Sequence, residues 1–189
     1  FATEGDLIQA GTAHHLVATY DNTEGARRAA IFIDGVEAGS LDDPTVLDDF
    51  EEDPFWLGSF AQALGFSGLI DDFQYYNRIL TAEEVQTLKD NPGEALSGVT
   101  PGEGGDGAVV VDLDASGLPE GAIATWENAG DLGGSFQAFG DPTVEVIAGV
   151  TGVTLDGNGD YLEGPASTPA IEGDSPRSII AWIYNPELA

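Results

Sequence analysis

Short apolar runs that alternate with polar residues dominate the chain, and Gly, Asn, Asp or Pro separates most of them. A period of two is typical of β-strands with one buried face. The strand at 68–76 alternates around Ile70, Asp72 and Gln74. The runs at 14–20 and 29–33 predict a β-hairpin, since the second ends in the turn pair Asp34 and Gly35. The predicted strands cover residues 14–20, 29–33, 55–60, 68–76, 109–114, 125–126, 135–139, 153–155 and 178–184.

One helix interrupts this pattern. Thr81 and Glu84 have the spacing of a capping box, and Val85 and Leu88 supply one apolar side. We expect the helix to end before the turn residues 91–93. Many short strands and a single short helix predict an all-β sandwich rather than an α/β fold.

Composition and charge narrow the function classes. The chain has 189 residues with 5 Lys plus Arg against 34 Asp plus Glu, a net charge of −29. Such a field repels nucleic acid and anionic lipid, so neither is an expected partner. No apolar run approaches the roughly 20 residues that span a bilayer, so we expect no membrane insertion. The acidity has three interpretations that stay open: solubility, adaptation to salt, and binding of divalent cations.

The residue content also predicts folding and excludes thiol chemistry. The chain is 42% hydrophobic, too apolar for a disordered acidic tail. It has no Cys, which excludes disulfides and thiolate metal ligands. It begins with Phe1 and contains no Met, so we expect a piece of a longer polypeptide.

Several motifs carry a family resemblance. Residues 14–21 (HHLVATYD), 31–36 (IFIDGV), 56–59 (WLGS), 66–80 (FSGLIDDFQYYNRIL) and 83–85 (EEV) resemble the second half of a laminin-G-like domain. That domain belongs to the concanavalin A-like lectin and glucanase superfamily. Residues 109–184 resemble the first half, marked by 155–162 (LDGNGDYL) and 178–183 (SIIAWI). The resemblance implies an antiparallel jelly-roll β-sandwich whose halves stand in reversed order.

This order predicts the domain organisation. Residues 1–93 form the C-terminal half of one jelly roll, 94–106 an acidic Gly- and Pro-rich linker, and 107–189 the N-terminal half of the next. Because half a sandwich cannot bury its inner face, the halves must pair either within the chain or between chains. Pairing between chains is heterologous and builds a head-to-tail filament by β-strand complementation.

Two acidic groups are candidate calcium ligands. Asp156, Asn158 and Asp160 have the i, i+2, i+4 spacing of a calcium loop, but the distal Glu of an EF-hand is missing, and a plain turn is the alternative. Asp71 and Asp72 lie where relatives sometimes hold a structural calcium, by resemblance. Buried Asp side chains bonded to backbone amides are the competing interpretation. The run at 42–53 we expect to be a solvated acidic loop.

Catalysis is not expected. A glycosidase needs two carboxylates on one cleft, and Asp112 with Asp114 is the nearest approach, without a partner Glu. Adjacent His14 and His15 point to opposite strand faces, so we expect structural roles for both. The side chains of Trp56, Trp126 and Trp182 are expected in the core. No ligand-binding residue can be identified from the sequence.

Two functions remain. The first is an extracellular structural or adhesive repeat of a larger surface protein, whose partners are copies of itself or neighbouring domains of the same polypeptide. The second is a carbohydrate- or ligand-binding module of a secreted protein, with glycans as partners. Calcium is the candidate cofactor of either.

Overall fold

The architecture comes from a computed structural model, which describes residues 7–44, 54–60, 64–96, 109–166 and 175–187. It contains fifteen strands and one helix. In chain order they are β1 (Ala13–Asp21), β2 (Arg28–Ile33), β3 (Val36–Asp42), β4 (Pro54–Leu57), β5 (Ser59–Phe60), β6 (Leu64–Gly65), β7 (Ser67–Tyr76), α1 (Ala82–Asp90), β8 (Val109–Leu113), β9 (Gly121–Ala122), β10 (Thr125–Glu127), β11 (Ser135–Phe139), β12 (Thr143–Ile147), β13 (Val150–Asp156), β14 (Tyr161–Ala166) and β15 (Arg177–Tyr184).

Two antiparallel sheets form the sandwich, which confirms the predicted all-β fold. The large sheet has nine strands in the order β3-β2-β1-β15-β7-β13-β12-β9, with β8 also paired to β7. The small sheet has four strands in the order β10-β11-β14-β4. A further two-stranded ribbon joins β5 and β6.

Strands from residues 13–76 and from residues 109–184 share both sheets. In the large sheet β15 lies between β1 and β7, and the other edge of β7 pairs with β13 and then with β8. In the small sheet β14 pairs with β4. The two parts of the chain therefore meet within one molecule. Their assignment to two neighbouring jelly rolls stays a prediction, and residues 97–106 of the expected linker lie outside the described residues.

The hydrophobic core lies between the sheets. Trp126, Phe136 and Leu162 of the small sheet are buried against Leu113 and Val153 of the large one. These inward residues alternate with outward ones along each strand, as sheet packing requires. On the other face of the large sheet, α1 packs through Val85 and Leu88 in a second cluster with Val17, Phe32, Tyr76 and Ile180.

Local signals in the sequence predict the β1–β2 hairpin, the turn after β2 and the helix correctly. β1 and β2 pair as predicted, and the turn after β2 has positive φ at both Asp34 (51°) and Gly35 (80°). A type I′ turn needs that conformation at both central residues, which Gly adopts without strain. At α1 the capping box is present: Thr81 Oγ1 accepts from Glu84 N at 3.2 Å and Glu84 Oε2 accepts from Thr81 N at 2.8 Å.

A β-bulge in β7 overturns the simple alternation expected around Ile70, Asp72 and Gln74. The register with β15 shifts between Ile180 and Trp182, so one more residue is placed on β7 than on β15. Asp72 takes a positive φ of 47° at this point. Consequently Ile70 and then Phe73 and Tyr75 face the core between the sheets. The extra residue turns the Asp72 side chain away from that core.

Candidate functional site

Three carboxylates converge beside the bulge. The ligand oxygens of Asp71, Asp72 and Asp114 all lie within 4.8 Å of one another. Asp71 and Asp72 belong to β7, whereas Asp114 directly follows β8, the strand paired with the end of β7. The cluster therefore bridges the two parts of the chain.

Backbone amides hold the two buried carboxylates in place. Asp71 Oδ1 accepts a hydrogen bond from Ala115 N at 3.0 Å, and Asp72 Oδ2 accepts one from Gly93 N at 2.6 Å. Gly93 has a φ of +81°, a conformation that side-chain-bearing residues rarely adopt, and this directs its N–H at the carboxylate. The loop after α1 is thus fastened to the bulge.

One buried oxygen in this cluster has no partner. Asp72 is only 5% exposed, and its Oδ1 makes no hydrogen bond. Burial raises the pKa of Asp72 to about 7, with a further contribution from the charge of Asp71. Burial also raises the pKa of Asp71. Burial without hydrogen-bond partners destabilises the charged form of a carboxylate. A bound cation would remove that penalty.

Asp114 completes the open side of the cluster. It is exposed, and its two oxygens accept from Ser116 N and Ser116 Oγ, each at 2.7 Å. A shallow pocket adjoins the three carboxylates, lined by Glu94 and by residues 149–151. Carboxylate oxygens of this number and hardness suit Ca²⁺, which takes six to eight oxygen ligands including water. The donor set and the orphaned Asp72 oxygen therefore fit a calcium ion.

The other predicted calcium group has a different environment. Asp160 is buried, and its oxygens accept from Asp141 N at 2.7 Å and from Asp156 N at 3.0 Å. Asp156 Oδ1 accepts from Asn158 N at 2.6 Å. These bonds close a turn between β13 and β14, as the alternative interpretation expects. The structure brings Asp71 and Asp72 together with Asp114 but does not group Asp156, Asn158 and Asp160 with them, and calcium binding at this turn stays a prediction.

Asp114 is a candidate cation ligand that the sequence pattern does not predict, because its local motif pairs it with Asp112 as a candidate glycosidase carboxylate. Asp112, its companion in that motif, accepts instead from Gln74 Nε2 at 3.2 Å. The pairing of β8 with β7 decides both contacts. That pairing leaves no local signal in the sequence.

A second candidate surface lies on the outer face of the small sheet. Trp56 is 37% exposed and Phe139 is 39% exposed, and Phe139 stacks on Tyr161 with ring centroids 4.7 Å apart and planes inclined by 5°. Trp56 Nε1 donates to Glu163 Oε2 at 3.3 Å, and Gln137 lies opposite Glu163 on β11. We call this set the aromatic face: Trp56, Gln137, Phe139, Tyr161 and Glu163.

The three Trp residues therefore differ in role. Trp126 is in the core as expected, 1% exposed, with Nε1 donating to the Asp114 carbonyl at 3.2 Å. Trp182 is half-buried against the ring of His15 at 5.3 Å. The expectation that Trp56 lies in the core is wrong, because its side chain alternates outward on β4 next to Glu163.

The histidine pair has the structural roles expected of it. His14 Nδ1 lies 2.8 Å from Asp34 Oδ2, and His14 Nε2 accepts from Gln9 N at 3.0 Å. His15 points to the opposite face of β1, is 1% exposed, and neither of its ring nitrogens has a hydrogen-bond partner. Burial lowers the pKa of His15 to about 4. At neutral pH the His15 ring is therefore uncharged, and it contributes to the packing of the buried side chains around it.

Comparison with known proteins finds a family that matches the first part of the chain. Residues 1–86 match a laminin-G-like family described as the concanavalin A-like lectin/glucanases superfamily, which confirms the resemblance of the motifs in that region. No curated protein and no solved structure matches the chain. Laminin-G-like domains of this fold are generally non-catalytic and typically extracellular. Within the described residues, no helix is long and apolar enough to cross a membrane.

Proposed function

We propose that this chain is a non-catalytic, extracellular carbohydrate-binding module that gives a larger surface protein an adhesive contact. The observation that carries the proposal is the aromatic face. A contiguous group of exposed apolar side chains with polar residues around it is typical of an interaction site. Their placement beside polar side chains therefore supports a binding role.

The chemistry of the aromatic face suits a sugar. The C–H faces of a pyranose ring stack on aromatic planes, which Trp56 and the Phe139–Tyr161 pair offer. Sugar hydroxyls need donors and acceptors between those rings, and Glu163 and Gln137 supply both. Diagonal neighbours on a sheet lie about 7–8 Å apart, so Trp56 and Tyr161 are spaced for adjacent sugar units. A linear oligosaccharide is the expected ligand.

A panel of soluble oligosaccharides, titrated calorimetrically against the whole chain, tests the proposal. Trp56→Ala and Phe139→Ala each remove one exposed ring and should weaken binding at least tenfold. Val146→Ala is the matched control, because Val146 is 52% exposed on β12 and lies outside the aromatic face. If no sugar binds, or if the ring variants bind as tightly as the control, the proposal is wrong.

Calcium is the cofactor that the acidic cluster supports. The orphaned Oδ1 of Asp72 and the convergence of Asp71 and Asp114 favour it. A cation there would join β7 to the residue after β8 and so stabilise the contact between the two parts of the chain. Its expected role is structural, with the sugar surface on the opposite sheet.

Head-to-tail assembly by strand complementation stays a prediction from the motif order. That mechanism needs β15 of one chain to pair with β1 or β7 of another. Here β15 pairs with both strands of its own chain. An adhesive role through a ligand therefore has more support than a filament of exchanged halves.

A further inference from the structure

The basic residues of this chain all lie outside the small sheet. There are five, and each is within the described residues: Arg27, Arg28, Arg78, Lys89 and Arg177. They belong to β2, α1, β15 or the segments next to these elements, and none belongs to β4, β10, β11 or β14. Four of the five are paired with carboxylates near them. The strands that carry the aromatic face therefore have no Lys or Arg to neutralise their acidic side chains.

Glu163 is the carboxylate at the centre of the aromatic face. The register aligns one row of side chains across the four strands of the small sheet: Thr125, Gln137, Glu163 and Trp56. Tyr161 lies two residues before Glu163 on β14, and so on the same face. Neighbouring strands are about 4.8 Å apart, and alternate residues of one strand are about 6.8 Å apart. Glu163 therefore has one aromatic side chain beside it on β4 and another along its own strand.

The Glu163 carboxylate can accept more hydrogen bonds than the protein gives it. Its Oε2 accepts from Trp56 Nε1 at 3.3 Å, which is long for a hydrogen bond. None of the ion pairs among the described residues involves Glu163. The residue is half-buried, and partial exclusion of water strengthens the attraction between a carboxylate and a cation. Glu163 is thus placed to accept a charge-assisted hydrogen bond from a ligand.

A second carboxylate extends the negative charge on this side of the small sheet. Glu127 is exposed on β10, next to Trp126, which points into the core. It lies two strands and one row of side chains from Glu163, a separation of about 12 Å. Aromatic faces also attract cations, through the negative charge above each ring. The rings and the carboxylates therefore favour the same kind of ligand, one that carries positive charge.

We propose that the aromatic face selects cationic oligosaccharides, chains of sugars that carry a protonated amine in place of a hydroxyl. This inference rests on the proposed sugar-binding function and names the class of sugar. The ammonium group donates to Glu163 while the C–H face of its ring stacks on Trp56. A neutral sugar makes the same stacking contact but gives Glu163 no charged partner. A sugar that carries carboxylate or sulfate groups is repelled by Glu163 and Glu127.

The test has to separate Glu163 from the general charge of the protein. A net charge of −29 attracts any polycation at long range. Glu163→Gln removes one charge but keeps an oxygen that can accept from Trp56 Nε1. Glu145→Gln is the matched control, because Glu145 is exposed on β12 of the large sheet and its replacement changes the net charge equally.

Calorimetric titration of the whole chain at about pH 5.5, where sugar amines are protonated, compares oligomers of equal length. The oligomers are those of glucosamine, N-acetylglucosamine, glucose and galacturonic acid. We expect the parent to bind the glucosamine oligomer about tenfold more tightly than the glucose oligomer, as one charge-assisted hydrogen bond predicts. The galacturonic acid oligomer should bind most weakly. Glu163→Gln should abolish the preference for glucosamine over glucose, and Glu145→Gln should retain it.

The acetylated oligomer gives a test that needs no variant. Acetylation removes the charge of the amine and keeps the sugar ring, so N-acetylglucosamine should lose the preference that glucosamine has. Equal binding of the charged and neutral oligomers, or equal loss of the preference in both variants, overturns charge selection and leaves the sugar-binding function in place. Oligolysine that binds the parent as tightly as the glucosamine oligomer does also overturns it, because the face would then recognise charge alone. If no oligosaccharide binds, the proposed function itself is wrong.

Discussion

Asp72 and Gly93 are joined by a 2.6 Å hydrogen bond from the Gly93 N–H to Asp72 Oδ2, while the other oxygen of the same buried carboxylate has no partner. The bulge in β7 creates this asymmetry, since it turns Asp72 toward the loop after α1 and toward Asp114. A buried carboxylate oxygen without a partner is unfavourable, and a bound cation would supply that partner.

Calcium should raise the melting temperature of the chain, and Asp72→Asn should abolish the increase. Binding to the folded state alone stabilises by about 2.7 kcal/mol when calcium is at 100 times its dissociation constant. Asp131→Asn is the control, because Asp131 is exposed and lies outside the cluster of Asp71, Asp72 and Asp114. Differential scanning calorimetry with and without chelator measures both. An unchanged melting temperature in the parent protein removes calcium from this site.

Without calcium, Asp72 should make the fold less stable as pH rises from about 4 to 7. Its pKa is near 3.8 in the unfolded chain and is raised to about 7 by burial in the fold. The folded state thus binds more protons in this window, so stability is highest at its acidic end and falls toward neutrality, by up to about 4 kcal/mol. Urea unfolding of the parent and of Asp72→Asn at several pH values measures the effect. If the free energy of unfolding changes with pH equally in the parent and in Asp72→Asn, then Asp72 is not the cause of the pH dependence.

Calcium binding should also release protons near pH 6 and become tighter toward pH 7.5. The cation needs the ionised form of Asp72, whose raised pKa leaves much of it protonated at mildly acidic pH. Calorimetric titrations in buffers of different ionisation enthalpy count the protons released. A binding constant that is the same at pH 5.5 and 7.5 contradicts Asp72 as a ligand.

The sequence predicts the structural features that depend on residues close together in the chain. The capping box at Thr81 and Glu84 and the turn at Asp34 and Gly35 depend on residues at most three apart, and both are confirmed. β3 was not predicted, because Val36–Asp42 is mostly polar or small and lies at the edge of the sheet. Edge strands with one solvated side have little apolar pattern to detect.

The candidate site depends on pairings between distant residues, and those were not predictable. The bulge at Asp72 exists only in the register of β7 against β15, more than 100 residues away in sequence. Likewise, the exposure of Trp56 follows from its place opposite Glu163 on β14. An apolar residue in a strand is assigned to the core by default, and the sequence does not say which face of a sheet is covered.

His15 should destabilise the fold below about pH 6.5. Its pKa falls from 6.5 to about 4 on burial, so in this window the unfolded chain binds more protons than the folded one. The stabilisation is fully present above pH 6.5 and is lost as pH falls toward 4, by about 3 kcal/mol at most. This slope is opposite in sign to that of Asp72. His15→Leu should flatten it in urea unfolding experiments, and a parent-like slope in that variant would refute the assignment.

Removing the N-cap of α1 should weaken the packing of this helix on the large sheet. Thr81→Ala deletes the acceptor for Glu84 N and should lower the free energy of unfolding by about 1 kcal/mol. Thr87→Ala is the control: the same change inside α1, where the Thr87 hydroxyl only donates to the Glu83 carbonyl, should leave stability unchanged or raise it slightly. Since Val85 and Leu88 cover Val17 and Tyr76, amide exchange in β1 and β7 should rise in Thr81→Ala alone. Equal exchange in both variants would mean that the cap does not hold the helix on the sheet.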